Sequence, residues 1–205
     1  MRPDVVGLQE VDRNARRSGE VDQAQYLGEK LGMHAAFGKF MDLDGGQYGM
    51  AVLSRHPIEK VRELALPEGN EPRIALACQI QPPDRDPFWV VNVHFDWVGD
   101  DEFRFAQASR LAEHLAELDR CVLLGDFNDV SGSRTLKLLS EGAFAASKPQ
   151  DDRFTFSSTD PEREIDFIYC FPSDGWQVRH CRVLDAPRTS DHRPVLAVLE
   201  MVNGE

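Results

Sequence analysis

Several short stretches of this sequence end an apolar run on a polar or ionisable residue, and their types fit acid–base and anion chemistry. In Cys121-Val122-Leu123-Leu124-Gly125-Asp126-Phe127-Asn128-Asp129, an apolar strand runs into Gly-Asp-Phe-Asn. If that segment stays extended, side chains alternate faces and Asp126 and Asn128 point the same way. The carboxylate can then orient and deprotonate a water while the amide donates to a charged oxygen. The plainer alternative is an Asp/Asn turn. Val90-Val91-Asn92-Val93-His94 ends a second apolar run in a histidine, which is either a site residue or a satisfied core residue. In Ser190-Asp191-His192-Arg193-Pro194, the proline disfavours the helical region for Arg193. An extended Asp191-His192 sends its side chains to opposite sides, one free to face a cation and the other a phosphate. Asp166 sits among Ile165, Phe167 and Ile168. A carboxylate buried there needs a partner, and a histidine suits it, because the carboxylate fixes the ring's tautomer and stabilises its protonated form. Val5-Val6-Gly7-Leu8-Gln9-Glu10 ends in a carboxylate that alternation puts on the face of Leu8 and Val6. Glu10 is there a cation ligand, or else a helix cap or loop charge.

These residues need strands to hold them. Short runs rich in Val, Ile, Leu and Phe predict strands at Asp4–Glu10, Tyr48–Ser54, Ile58–Leu66, Arg73–Ile80, Phe88–His94, Cys121–Gly125, Glu164–Phe171, Gln177–Leu184 and Pro194–Met201. Helical periodicity predicts helices over about Asp22–Met33 and Asp101–Leu118, with a shorter one over Ser133–Ser140. Asp22 suits a helix cap, and Asp100 and Asp101 suit the start of the second helix through capping and the dipole. The Pro-rich stretch Gln81–Pro87 reads as a hairpin loop. Many strands with few helices between them predict two packed sheets with helices outside.

Composition sets limits. The 205 residues predict one domain, 1–205. A net charge of −12 leans against gripping duplex nucleic acid by electrostatics. It leaves a metal-dependent nuclease open, since a cation offsets the carboxylates gathered around it. No apolar run approaches the ~20 residues of a membrane-spanning helix. Cys78, Cys121, Cys170 and Cys181 form no CxxC pair and read as buried free thiols of a reducing compartment. With no signal-peptide pattern at Met1–Asp4, the expectation is a cytoplasmic protein.

The order and context of these motifs resemble the endonuclease/exonuclease/phosphatase superfamily, which includes DNase I-like nucleases, inositol-polyphosphate phosphatases and RNA deadenylases. The matching pieces are DVVGLQEVD at 4–12, YGMAVLSRHPI at 48–58, VVNVHFDW at 90–97, LLGDFND at 123–129, EIDFIYC at 164–170 and SDHRPV at 190–195. The segment Arg17–Gln23 resembles bacterial members described as metal-dependent hydrolases. The resemblance implies an α/β (α+β) fold, a DNase I-like four-layer α/β/β/α sandwich, with Mg²⁺ or Mn²⁺ at one end. It implies Glu10 and Asp191 as metal ligands, Asp126 as the residue that positions the attacking water, and Asn128 as a phosphate contact. It pairs His192 with Asp166, with His192 on a phosphate oxygen, and sets His94 beside the scissile phosphate. Arg73 resembles a phosphate-facing arginine of some branches. Members begin with an asparagine-bearing strand and a helix ahead of the glutamate strand. The expectation is therefore a domain that lacks the first strand, N-terminally truncated relative to the family.

The leading expectation is in-line hydrolysis of a phosphodiester or phosphomonoester. The acidic balance favours a small-molecule or lipid-headgroup phosphoester over nucleic acid. A DNase I-like nuclease is the alternative, with Phe95, Trp97, Phe103 and Phe105 as base-stacking candidates, though core packing is the favoured reading of these aromatics. A catalytically impaired binding or scaffold remnant is the other competitor.

Overall fold

The computed structural model describes residues 2–202; Met1 and 203–205, the ends of the expected 1–205 domain, lie outside the described residues. The strands are β1 Val5–Arg13, β2 His34–Leu43, β3 Gly46–Ser54, β4 Ile58–Ala65, β5 Ile74–Ile80, β6 Phe88–His94, β7 Cys121–Asp126, β8 Phe144–Ala145, β9 Asp166–Phe171, β10 Trp176–Val183 and β11 Val195–Met201. The helices are α1 Gln23–Leu31, α2 Glu102–Leu115 and α3 Arg134–Ser140. Every predicted strand and helix is present within a few residues of its expected ends. β2 and β8 are additions.

A six-stranded sheet of order β4-β5-β6-β7-β9-β8 forms the centre. Its inner strands β5, β6 and β7 are buried on both faces, which is why they read as unbroken apolar runs rather than alternating ones. One face, carrying Ala75, Ala77, Val91, Val93 and Leu123, packs on Ala108, Leu111 and Leu115 of α2 and Leu136 and Leu139 of α3. The opposite face, carrying Leu76, Cys78, Ile80 and Val90, packs on Phe40, Tyr48, Met50 and Val52 of the sheet β1-β3-β2. The pair β10-β11 adds to that second layer: Trp176, Leu199 and Met201 cover Val122 and Cys170. On the far side of β1-β3-β2, Ala24 of α1 packs on Val11 and Ala51. The result is the expected four-layer α/β/β/α sandwich. Asp22 caps α1 by accepting from the Gln25 backbone, and Ser133 caps α3 by accepting from that of Leu136.

The cysteines are all free and buried, and burial pushes the thiols of Cys78, Cys121 and Cys170 up to about 12. No described helix is long and apolar enough to cross a membrane.

One local expectation is overturned. The first strand does not stop at Glu10 but runs on to Arg13, and a bulge between Leu8 and Val11 interrupts its pairing with β3. Glu10 adopts a left-handed φ of 56° and is exposed, so it does not share the face of Leu8 and Val6. A bulge adds one residue to one strand and breaks the alternation, which re-aims the side chains around it. Among the described strands, β1 pairs with β3 alone, and its other edge carries the single bridge from Arg13 to Asp22.

Candidate active site

The central sheet lines up three of the predicted residues. β6 and β7 run parallel with His94 opposite Asp126, and β7 and β9 run antiparallel with Asp126 opposite Asp166. One row across three strands therefore carries an imidazole and two carboxylates. Gly125 makes the close approach possible: its φ is +138°, and a Cβ there would lie 2.0 Å from the Val93 carbonyl oxygen.

His192 reaches this row from the loop before β11. Its backbone bridges to Phe156, its ring centroid lies 5.0 Å from that of Phe156, and its N–H donates to Ser190 Oγ at 3.0 Å. Its Nδ1 is 2.9 Å from Asp166 Oδ2, the pairing expected from the sequence. Asp166 is held by its own backbone. Its N–H donates to Thr155 Oγ1 at 3.3 Å, and its carbonyl accepts from the buried Lys148 ammonium at 2.8 Å. Lys148 is itself neutralised by Glu164 at 2.8 Å.

Asp126 Oδ2 sits between two rings, 3.6 Å from His94 Nε2 and 3.8 Å from His192 Nε2. Both separations exceed a hydrogen bond and leave a place where a third oxygen can meet all three groups. The two histidines differ in what stands behind them. His94 is 4% exposed, and its Nδ1 faces an Arg73 guanidinium nitrogen at 3.3 Å. Burial, then the charges of Arg73 and His192, pull its pKa down to about 3. Burial also pulls on His192, but the hydrogen bond and charge of Asp166, with Asp126 and Asp191 behind it, outweigh that and raise it to about 9. At neutral pH one ring is neutral and the other a cation. Burial, then the Asp166 carboxylate, push Asp126 well above the ordinary carboxylate range.

Asn128 departs from expectation. The strand ends at Asp126, and Asn128 has φ 49° instead of continuing extended. Its backbone N–H donates to Asp126 Oδ1 at 2.7 Å, and its side-chain amide donates to the Phe95 carbonyl at 3.0 Å. The turn and the site coexist: the Asx contact that ends the strand also fixes the Asp126 carboxylate.

Glu10 and Asp191 lie at the exposed rim. The charge of Glu10 reaches the Tyr48 hydroxyl and the Arg17 guanidinium, and the charge of Asp191 reaches His192. Asp126, Asp166 and His192 offer ligand atoms that all lie within 4.8 Å of one another, and neither rim carboxylate joins that group. Glu10 makes no side-chain hydrogen bond or salt bridge among the described residues. An unpaired carboxylate on a positive-φ bulge fits a hard cation such as Mg²⁺ or Mn²⁺. Arg73 lies below the row, 3% exposed.

Sequence reasoning missed two residues that brace the site. Asn92 is fully buried and accepts from Gln9 Nε2 at 2.6 Å while donating to the Leu8 and Ala51 carbonyls at 2.9 and 3.0 Å. It thereby ties β6 to β1 and β3 beside the Glu10 bulge. Asp96, also fully buried, accepts from the backbones of Asn70 and Val98 at 2.6 and 3.1 Å. It ties the loop before Arg73 to the loop after His94. The signal was there in both cases, a polar residue inside the apolar stretch 90–97. Of the aromatics expected in the core, Phe95 is fully buried, but Trp97 and Phe103 are 59% and 41% exposed. Both follow the end of β6, where the chain leaves the sheet.

A sequence profile of the Endonuclease/Exonuclease/phosphatase family matches residues 1–192. The Escherichia coli (strain K12) protein YbhP, itself described as uncharacterized, is 32% identical over 139 residues. That match takes in 62% of this chain and 54% of YbhP, so the chain spans about half the length of the curated relative it matches. A functionally unknown conserved protein from Enterococcus faecalis V583 superposes with a TM-score of 0.80 at 25% identity, over 97% of this chain and 86% of that one. An endonuclease/exonuclease/phosphatase from Beutenbergia cavernae DSM 12333 gives a TM-score of 0.82 at 24% identity, over 97% of this chain and 63% of that one.

Proposed function

The chain belongs to the endonuclease/exonuclease/phosphatase family, and on that premise we propose that it hydrolyses a phosphodiester or phosphomonoester by in-line attack of an Asp126-activated water. The observation that carries this reading is the placement of Asp126 Oδ2 between two imidazole nitrogens, at 3.6 and 3.8 Å, whose rings are held in opposite charge states. Asp126 takes the proton of the water, and its raised pKa makes it the stronger base. His192, cationic on Asp166, donates from Nε2 to a phosphoryl oxygen as charge develops there. Neutral His94 donates from the other side. The second amide hydrogen of Asn128 adds a phosphate contact.

Glu10 and Asp191 would hold Mg²⁺ or Mn²⁺. When bound, the cation offsets phosphoryl charge and stabilises the leaving oxygen. The test is a panel of phosphodiester, phosphomonoester and nucleic-acid substrates run on this chain with Mg²⁺ and with Mn²⁺. Hydrolysis of any of them that disappears in Asp126→Ala supports the reading. No turnover with either metal would favour the scaffold alternative.

The exposure of Trp97 and Phe103 favours a second reading, a DNase I-like nuclease in which these rings stack on bases. The nucleic-acid arm of the same panel separates it from small-molecule hydrolysis.

A further inference from the structure

Arg73 is closed off from solvent, with its side chain 1% exposed. Its Nη2 lies 3.0 Å from Glu71 Oε2, its Nη1 3.3 Å from His94 Nδ1, and its guanidinium carbon 5.0 Å from the centre of the Phe40 ring. A guanidinium has five N–H donors and no acceptor. The His94 nitrogen facing it must therefore accept, so Nδ1 is bare. A neutral imidazole with a bare Nδ1 carries its proton on Nε2, the nitrogen 3.6 Å from Asp126 Oδ2. A proton on Nδ1 would set N–H against N–H.

We propose that Arg73 is a positioning residue: by donating to His94 Nδ1 it fixes the tautomer whose Nε2–H points into the space shared with Asp126. The proposal rests on the phosphoester-hydrolase reading and gives Arg73 this role in place of the direct phosphate contact expected from the resemblance. His94 is then a donor in that space, and Asp126 is left as the base. Arginine suits the position because its planar fork engages Glu71 and His94 together while its face lies on Phe40. A lysine ammonium is a point charge without that fork. Asp96 supports the arrangement, since its carboxylate also accepts from the Glu71 backbone at 3.4 Å and so steadies the segment that carries Arg73.

The test is long-range proton–nitrogen correlation spectra of the histidine rings in ¹⁵N-labelled protein near pH 7, with His94 assigned by its loss in His94→Gln. The wild-type His94 pattern should be that of the Nε2–H tautomer. Arg73→Leu should shift it toward Nδ1–H and lower kcat about 10-fold or more while KM changes little. Arg73→Gln, whose amide can still donate, should keep the tautomer and recover part of kcat. A proton on Nδ1 in the wild type would overturn the proposal, and so would an unaltered tautomer in Arg73→Leu. A rise in KM with kcat unchanged would overturn it too, as that is the mark of a lost phosphate contact. If Arg73→Leu does not fold, the wild-type spectrum and Arg73→Gln still decide. If the wild type shows the expected tautomer but cleaves no phosphoester, the hydrolase reading falls and the role of Arg73 in setting the tautomer stands.

Discussion

His192 backs onto Asp166, with Nδ1 2.9 Å from Oδ2, so the pair commits the Nδ1 proton to the carboxylate and leaves Nε2 to face Asp126. Asp166→Asn removes the charge while nearly preserving the shape. We expect activity to fall at least ~10-fold, since the ring loses the partner that orients and charges it. The alkaline limb of the pH–rate profile should also move down from about 9 toward the ordinary histidine range. An unchanged alkaline limb would show that the charge on His192 is not used.

Asp126→Ala and His192→Ala should each lower phosphoester hydrolysis at least ~100-fold, the scale of losing a general base or a transition-state donor. Steady-state rates on the best substrate of the panel check this. Full activity in either variant would remove that residue from the mechanism.

The two histidines give stability opposite pH dependences. The folded pKa of His192, about 9, lies above the ordinary histidine value of 6.5, so its contribution is full below 6.5 and is lost as pH rises through about 9. The folded pKa of His94, about 3, lies below 6.5, so its contribution is present above 6.5 and is lost as pH falls toward 3. Urea denaturation without divalent metal should therefore show declines on both sides of a maximum at roughly pH 6–7. His192→Gln should flatten the alkaline decline and His94→Gln the acid one. A profile that neither variant changes would contradict the charge states argued for the site.

Glu10→Ala should weaken Mg²⁺ or Mn²⁺ binding at least ~10-fold, since losing a ligand costs no less than losing a residue that supports one. Calorimetry reads this directly. Equal affinity in the variant would place the cation elsewhere.

Leu111 is fully buried between α2 and the six-stranded sheet. Leu111→Ala should cost about 2–5 kcal/mol by losing burial and opening a cavity. A shift of the denaturant midpoint at unchanged slope is the expected record.

The sequence was most legible where a buried strand ended in chemistry. Apolar runs marked β6, β7 and β9, and the polar residues at their ends marked His94, Asp126 and Asp166. The structure sets these in one row because strand pairing is in register, a long-range fact that local pattern does not carry. β2 was missed because Ala35, Ala36, Gly38, Lys39 and Asp42 are poor strand formers, and the strand exists through its pairing with β3. Glu10 was placed on the wrong face because alternation holds only while pairing is regular, and nothing in Leu8-Gln9-Glu10-Val11 announces a bulge. Asn128 was expected to stay extended, yet an asparagine tolerates the left-handed region and here ends the strand.

The amide of Asn92 makes the fit between the two sheets discrete. From the six-stranded sheet it accepts from Gln9 and donates to the Leu8 and Ala51 carbonyls, all three on the facing sheet, so the layers cannot creep past each other by a fraction of a residue without breaking several contacts together. The carboxylate at the bulge rides on one layer and the base on the other. Their separation is therefore seated or dislocated, with no stable setting between, and warming the protein should switch its activity off abruptly instead of detuning it by degrees.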